Sequence, residues 1–197
     1  MKARHFTAIA CSLMVLFLAA CASSTTMVKS AAPAAAKPNE ATVVFMRSSF
    51  VGSAIAASVF DVSQPGTRFV GVVDNGMKLA YVVSPGDHTF MVVSESADFM
   101  KATLLPGRTY YALITPRMGA WKARFSFRPL RQPDLAGVDF ADWDKNTHWV
   151  ETGAEAVAWA SRNAADVEKK RATYWPEWSS KDIEQRNSQT LNAADGR

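Results

Sequence analysis

The side chains able to hold a metal, relay a proton or attack a carbonyl are few in this chain. Its 197 residues include two cysteines and three histidines. Both cysteines, Cys11 and Cys21, lie near the N-terminus, so neither a disulfide framework nor a thiolate zinc site is expected. His88 follows the turn Pro85-Gly86-Asp87, where an imidazole can hydrogen-bond locally. His148 sits between Asn146 and Trp149 with no second histidine at ligand spacing, so no metal is expected there. Asp142-Trp143-Asp144-Lys145-Asn146 mimics the start of a calcium loop. Thr147 stands where that loop needs glycine, and Gly153 where it needs glutamate. The stretch therefore reads as a loop leading into a helix. The sequence has no Gly-x-Ser-x-Gly elbow, no P-loop and no dinucleotide glycine fingerprint. Glu151 and Glu155 could converge on a glycan, but more simply serve a helix N-terminus. No catalytic residue and no cofactor is expected.

Two other groupings suit binding. Trp121, Ala123, Phe125 and Phe127 alternate with Lys122, Arg124, Ser126 and Arg128, as in a strand with one buried and one solvated face. Arg117 and Arg131 bracket this strand. Lys122, Arg124, Arg128 and Arg131 make a candidate face for an anionic lipid, a glycan phosphate or an acidic protein partner. The simpler reading is a charged strand face that discourages edge pairing. Five of six tryptophans lie near the C-terminus: Trp143, Trp149, Trp159, Trp175 and Trp178. They suit clamps that hold alanine-rich helices onto a sheet, or sugar-stacking surfaces.

The elements that would position these residues begin after an N-terminal leader. Lys2 and Arg4 precede an apolar run from Phe6 to Ala20, too short to span a bilayer, which reads as a secretory signal. It ends in Leu18-Ala19-Ala20-Cys21, which resembles a bacterial lipobox. The resemblance implies cleavage before Cys21, a diacylglycerol thioether on its sulfur and acylation of its amine. Several chains on one residue anchor stably, where one chain does not. Ala22, where such lipoproteins carry aspartate for inner-membrane retention, implies the outer membrane. Residues 22–39 are small, polar and proline-punctuated, and are expected to form a flexible tether. Such a tether reaches about 60 Å when extended and roughly 25 Å as a coil.

From 41 to 131 the pattern predicts about eight short strands: Thr42–Arg47, Ile55–Val62, Arg68–Val73, Met77–Val83, His88–Glu95, Phe99–Leu105, Thr109–Thr115 and Trp121–Arg128. Asp74-Asn75-Gly76 is the strongest hairpin signal. The expected fold is mainly β, an antiparallel β-sandwich of seven or eight strands. Arg47-Ser48 with its small loop, Tyr81-Val82-Val83-Ser84-Pro85-Gly86-Asp87-His88-Thr89-Phe90 and Pro106-Gly107-Arg108-Thr109-Tyr110-Tyr111 resemble bacterial lipoproteins with a PEGA-like sandwich. That resemblance implies a fold and an envelope location, not a chemistry.

The composition then shifts. Residues 40–131 hold ten Lys and Arg against six Asp and Glu, and residues 132–197 hold eight against twelve. Opposite charges favour docking of a C-terminal helical extension onto the sandwich. Thr152-Gly153-Ala154-Glu155 predicts a capping box, followed by a helix ending at Pro176 and supported by Asp166 and Lys170. Ser179-Ser180-Lys181-Asp182 predicts a second helix to about Leu191, and a shorter helix is expected around Gly137–Asp144. A net charge of +4 and an extracytoplasmic address argue against nucleic acid. The expectation is a lipid-anchored, non-catalytic envelope protein on the periplasmic side. It would be a structural or protein-interaction module, or else a binder of anionic lipid or glycan, with a hydrolase of envelope polymers as the third and least favoured alternative.

Overall fold

The computed structural model describes residues 27–49, 51–63, 65–117 and 124–197. The lipobox residues Leu18, Ala19, Ala20 and Cys21 lie outside the described residues, as do Trp121 and Lys122. The fold is mainly β with several helices. Nine strands come first: β1 (Met27–Lys29), β2 (Ala41–Arg47), β3 (Ser58–Asp61), β4 (Arg68–Val72), β5 (Met77–Val83), β6 (Gly86–Val93), β7 (Ala97–Leu104), β8 (Thr109–Arg117) and β9 (Arg124–Pro129). Then follow α1 (Gln132–Leu135), α2 (Val138–Lys145), β10 (His148–Thr152), α3 (Ala154–Arg162), α4 (Ala164–Ser179), α5 (Ile183–Ser188) and β11 (Thr190–Leu191). A 3-10 turn (Ala193–Asp195) closes the chain.

The strands form two sheets, ordered β1-β10-β5-β2-β8-β9 and β11-β7-β6-β3-β4. They are mixed, which corrects the expected all-antiparallel arrangement. β2 runs parallel to β8, β10 to β5, and β11 to β7. The Asn75-Gly76 turn is real, with Gly76 at φ +78° and Met77 N–H donating to the Asp74 carbonyl at 3.1 Å. It makes no hairpin, because β4 and β5 belong to different sheets. The turns before β6 and β8 cross between sheets as well.

Alternate side chains divide between layers. Val43, Phe45, Tyr110, Ala112 and Ile114 of the six-stranded sheet share one core with Val59, Val72, Phe90, Val92 and Met100 of the five-stranded sheet. The opposite face of the six-stranded sheet, with Val44, Met46 and Leu113, is covered by Leu135 of α1 and Phe140 of α2. The opposite face of the five-stranded sheet, with Phe60, Met91 and Phe99, is covered by Val167 and Trp178 of α4. Helices thus cap both outer faces. This is why β2 is buried at every position, and why its sequence is a continuous apolar run instead of an alternating one.

The C-terminal third departs from its expected form in three ways. Thr152 is no helix cap: it ends β10, and its hydroxyl donates to the Val70 carbonyl at 2.8 Å. Gly153 takes the N-cap position of α3, and Asn163 separates α3 from α4. Pro176 sits inside α4 and does not end it. Asp182 caps α5, accepting from Gln185 N–H at 2.7 Å, and α5 ends at Ser188. The Asp166–Lys170 pair forms at 2.9 Å. The expected tether is shorter than residues 22–39: Met27–Lys29 pairs with β10, and Met27 is buried against β4.

Candidate functional site

The richest polar cluster among the described residues lies where β3 ends and the β5–β6 turn begins. Asp61 closes β3 and Ser63 follows it. Ser63 N–H donates to Asp61 Oδ1 at 3.0 Å, and the Ser63 hydroxyl donates to the same oxygen. Tyr81, from β5, donates to Asp61 Oδ2 at 3.1 Å. His88, on β6, brings Nδ1 within 3.5 Å of Asp61 Oδ2 and 3.1 Å of Ser63 Oγ. Its other nitrogen, Nε2, lies 2.9 Å from the Ser84 carbonyl. The local hydrogen bond expected of His88 is this one. The ring stacks on Phe90, with 5.8 Å between centroids.

Serine, histidine and aspartate together invite a hydrolytic reading, and proton bookkeeping answers it. A carbonyl partner requires Nε2 to carry hydrogen. The single Ser63 hydroxyl proton goes to Asp61, so the contact between Ser63 and His88 is completed by a proton on Nδ1. Both ring nitrogens are then placed to donate, the arrangement that an imidazolium satisfies. In a nucleophilic triad the histidine accepts the serine proton on one nitrogen and is oriented by aspartate at the other. Here serine and aspartate share one nitrogen and a carbonyl holds the other, so the cluster is a latch.

The electrostatics agree. The hydrogen bond to Asp61 raises the His88 pKa above its ordinary 6.5, against the opposing effect of burial. The Ser84 carbonyl and the charges of Asp61 and Asp87 add to the rise. For Asp61, burial alone would push the carboxyl up. Hydrogen bonds from His88, Ser63 and Tyr81 outweigh it and hold the group at about 2. A cleft of about 420 Å³ opens beside the latch, with Pro65, Gly66 and Arg68 on its wall. Sequence reasoning found His88 but not Asp61, Ser63 or Tyr81. The spacing Asp61-Val62-Ser63, which suits an Asx turn, is the local signal that was available.

The basic face is partly dispersed. Arg124 lies opposite Arg117 across β8 and β9. Arg128 reaches Asp134 at 3.5 Å and lies over the Trp143 ring. Arg131 faces inward: Nη1 meets Asp195 at 2.5 Å and the Thr190 carbonyl at 2.6 Å, and Nη2 meets the Asn187 carbonyl at 3.0 Å. It is a clamp on the C-terminus. Ser126 is buried, which corrects the expected solvated alternation. What the fold does bring together is Arg117, Arg128 and Lys181, along a groove of about 410 Å³ between β9 and α5.

The remaining candidates have structural places. Asp142 and Asp144 lie in α2, not in a loop, and Asp144 pairs with Lys78 at 2.5 Å. No group of three metal-ligating side chains occurs among the described residues. His148 opens β10 and is exposed. Glu155 is in the first turn of α3, whereas Glu151 is on β10. Trp178 is buried, stacks on Trp175, meets Phe99 edge-on and donates Nε1–H to Gln189 at 3.0 Å. Trp159 packs against Phe69. Arg47, fully buried, donates to the Ile55 carbonyl at 2.6 Å and lies over Phe125, which clamps the loop after β2. The chain matches no family model, no curated protein and no solved structure. The functional reading therefore rests on residues and geometry.

Proposed function

We propose that this protein is a lipid-anchored component of a bacterial envelope, held at the outer membrane and facing the periplasm. It serves as a non-catalytic structural or protein-interaction module. Its two-sheet core is read as a β-sandwich of the PEGA-like kind, elaborated by edge strands and by helices on both outer faces. The observation that carries the reading is Leu18-Ala19-Ala20-Cys21 at the end of a short apolar leader, six positions before the first strand. The wiring of His88 supports the non-catalytic part, because both ring nitrogens are already engaged, one by Ser63 and Asp61 and the other by the Ser84 carbonyl. No helix among the described residues is long and apolar enough to cross a membrane.

The test is Cys21→Ala. The wild-type chain should lose residues 1–20, gain the mass of its acyl groups and fractionate with the outer membrane. The variant should remain an unlipidated precursor. A variant that fractionates like wild type would overturn the anchoring. Crosslinking in cells, followed by mass spectrometry of the captured complex, tests the interaction role, which a single stoichiometric protein partner would support. A second reading, a binder of anionic lipid or glycan, is favoured by the groove where Arg117, Arg128 and Lys181 meet. It predicts a retained small ligand and no protein partner.

A further inference from the structure

The fold begins close to Cys21. Six Cα steps separate Cys21 from Met27. Fully extended, they span at most about 20 Å. A domain of roughly 170 residues has a radius of gyration of about 16 Å and is roughly 40 Å across. The link is thus shorter than the body it holds. Whatever surface surrounds the N-terminal end of β1 must stay near the lipid.

That surface is apolar at its centre. β1 is the outermost strand of its sheet, and no strand among the described residues pairs with its outer edge. Met27 lies opposite Thr152, which also lines a cleft of about 370 Å³ between the five-stranded sheet and helices α3 and α4. Phe69, Val157, Ala160 and Ala164 line this cleft, and Val157 is 52% exposed. The charges on β1, β10 and α3 are Lys29, Glu151, Glu155 and Arg162, and Glu168 lines the cleft, so acidic groups outnumber basic ones and there is no basic field.

We propose that this face, comprising Val157 and the mouth of the cleft beside α3, lies against the lipid surface that holds Cys21. The proposal rests on the anchoring reading above. The short link brings the face to the lipid, and apolar burial keeps it there without attraction to anionic headgroups. Docking in this way fixes which surfaces face outward. The groove between β9 and α5 lies at the opposite edge of the six-stranded sheet from β1 and then remains open to partners.

The test uses the full lipidated protein in vesicles of zwitterionic phosphatidylcholine. Loss of residues 1–20 removes Cys11, and lipidation blocks the Cys21 sulfur, so one introduced cysteine can be labelled alone. Val157→Cys labels the proposed face, and Val51→Cys labels the loop after β2 as a control. Intact mass and flotation with vesicles are measured first. Nitroxide-bearing lipids should quench the label at 157 at least threefold more than the label at 51. The same contrast should hold when anionic lipid is added. Equal quenching in a lipidated protein that floats overturns the docking alone. A chain without lipid that does not float overturns the anchoring and the docking with it. Shielding of the label at 157 from aqueous quenchers without lipid quenching, with crosslinks between copies, would assign the face to a second copy and overturn the proposal.

Discussion

Asp61→Asn keeps the shape of the latch and removes the charge facing His88. Asp61 is nearly buried, and it accepts from Ser63 N–H, the Ser63 hydroxyl and Tyr81 OH while facing His88 Nδ1. Its carboxyl is held at about 2, against an ordinary 3.8. At about 1.4 kcal/mol for each tenfold change in acidity, the depression is worth about 2 kcal/mol at neutral pH. A depressed carboxylate contributes fully above its unfolded pKa, and the contribution fades as pH falls through about 2. His88 behaves in the opposite sense. Its raised pKa contributes fully below the unfolded value of 6.5 and is lost as pH rises through the folded value above it. The wild-type latch should therefore stabilise most between about pH 4 and 6.5 and weaken on the alkaline side. In the Asn variant, stability at pH 6 should fall by about 2 kcal/mol, which lowers Tm by about 4–8 °C. The alkaline decline should vanish with it, because burial without the anion no longer favours the imidazolium. Denaturant midpoints from pH 4 to 9 measure both effects. Proton NMR of the mature chain follows His88 against exposed His148, its only other histidine. Parallel pH profiles for variant and wild type would refute the latch. So would a wild-type His88 titrating at or below 6.5.

Substitutions at three further positions probe the packing around this frame. Trp178→Ala empties the site where α4 meets Phe99 and leaves Gln189 without its indole donor, so it should cost about 3–5 kcal/mol in chemical denaturation. Arg131→Ala strands the buried Asp195 carboxylate, and a loss of about 3 kcal/mol is expected. Hydrogen exchange should rise across residues 187–197, and Arg131→Lys should not restore protection, because lysine lacks the fork that spans Asp195, Thr190 and Asn187. Gly71→Ala puts a methyl 2.5 Å from Leu79 Cδ2 and 2.9 Å from Met27 Cε. It should cost about 1–3 kcal/mol and release β1, with new proteolytic cleavage near Met27 as the readout.

The strands between Ala41 and Pro129 were legible because their apolar runs are bounded by Pro-Gly and Asn-Gly turns. Sheet membership was not, because a turn signal reports a reversal and not a pairing. The chain at Asn75-Gly76 turns as its residues dictate and then enters the other sheet. The three short strands β1, β10 and β11 were missed for a related reason. Met27–Lys29 has three residues and Thr190–Leu191 two, too few to show a period. They exist through non-local pairing, with Met27 buried against β4 and Leu191 in the main core. The polar cluster was half legible. His88 followed from its turn, but Asp61 and Tyr81 are 27 and 7 positions upstream of it in the chain. Pairing of β3 with β6 brings Asp61 beside His88, and the crossing from β5 to β6 between sheets brings Tyr81 to them.

The charge asymmetry bears most directly on function. A basic first part and an acidic C-terminus suggested two uses for the arginines, docking the C-terminus or meeting an anionic partner. The pairs Lys78–Asp144, Arg128–Asp134 and Arg131–Asp195 all join the first part to the second, so docking takes up much of that charge. Asp98 carries the same logic in reverse, lying on β7 and receiving Lys181 at 3.1 Å. Arg131 and Arg128 are both engaged in this docking, which leaves less of their charge for the expected partner face. Outside the groove of Arg117, Arg128 and Lys181, a partner or membrane surface of the kind proposed would be met mainly by shape and apolar contact. Such contact is short-ranged and so depends on the body being held close to its target, which a link of six Cα steps to an anchored Cys21 would supply.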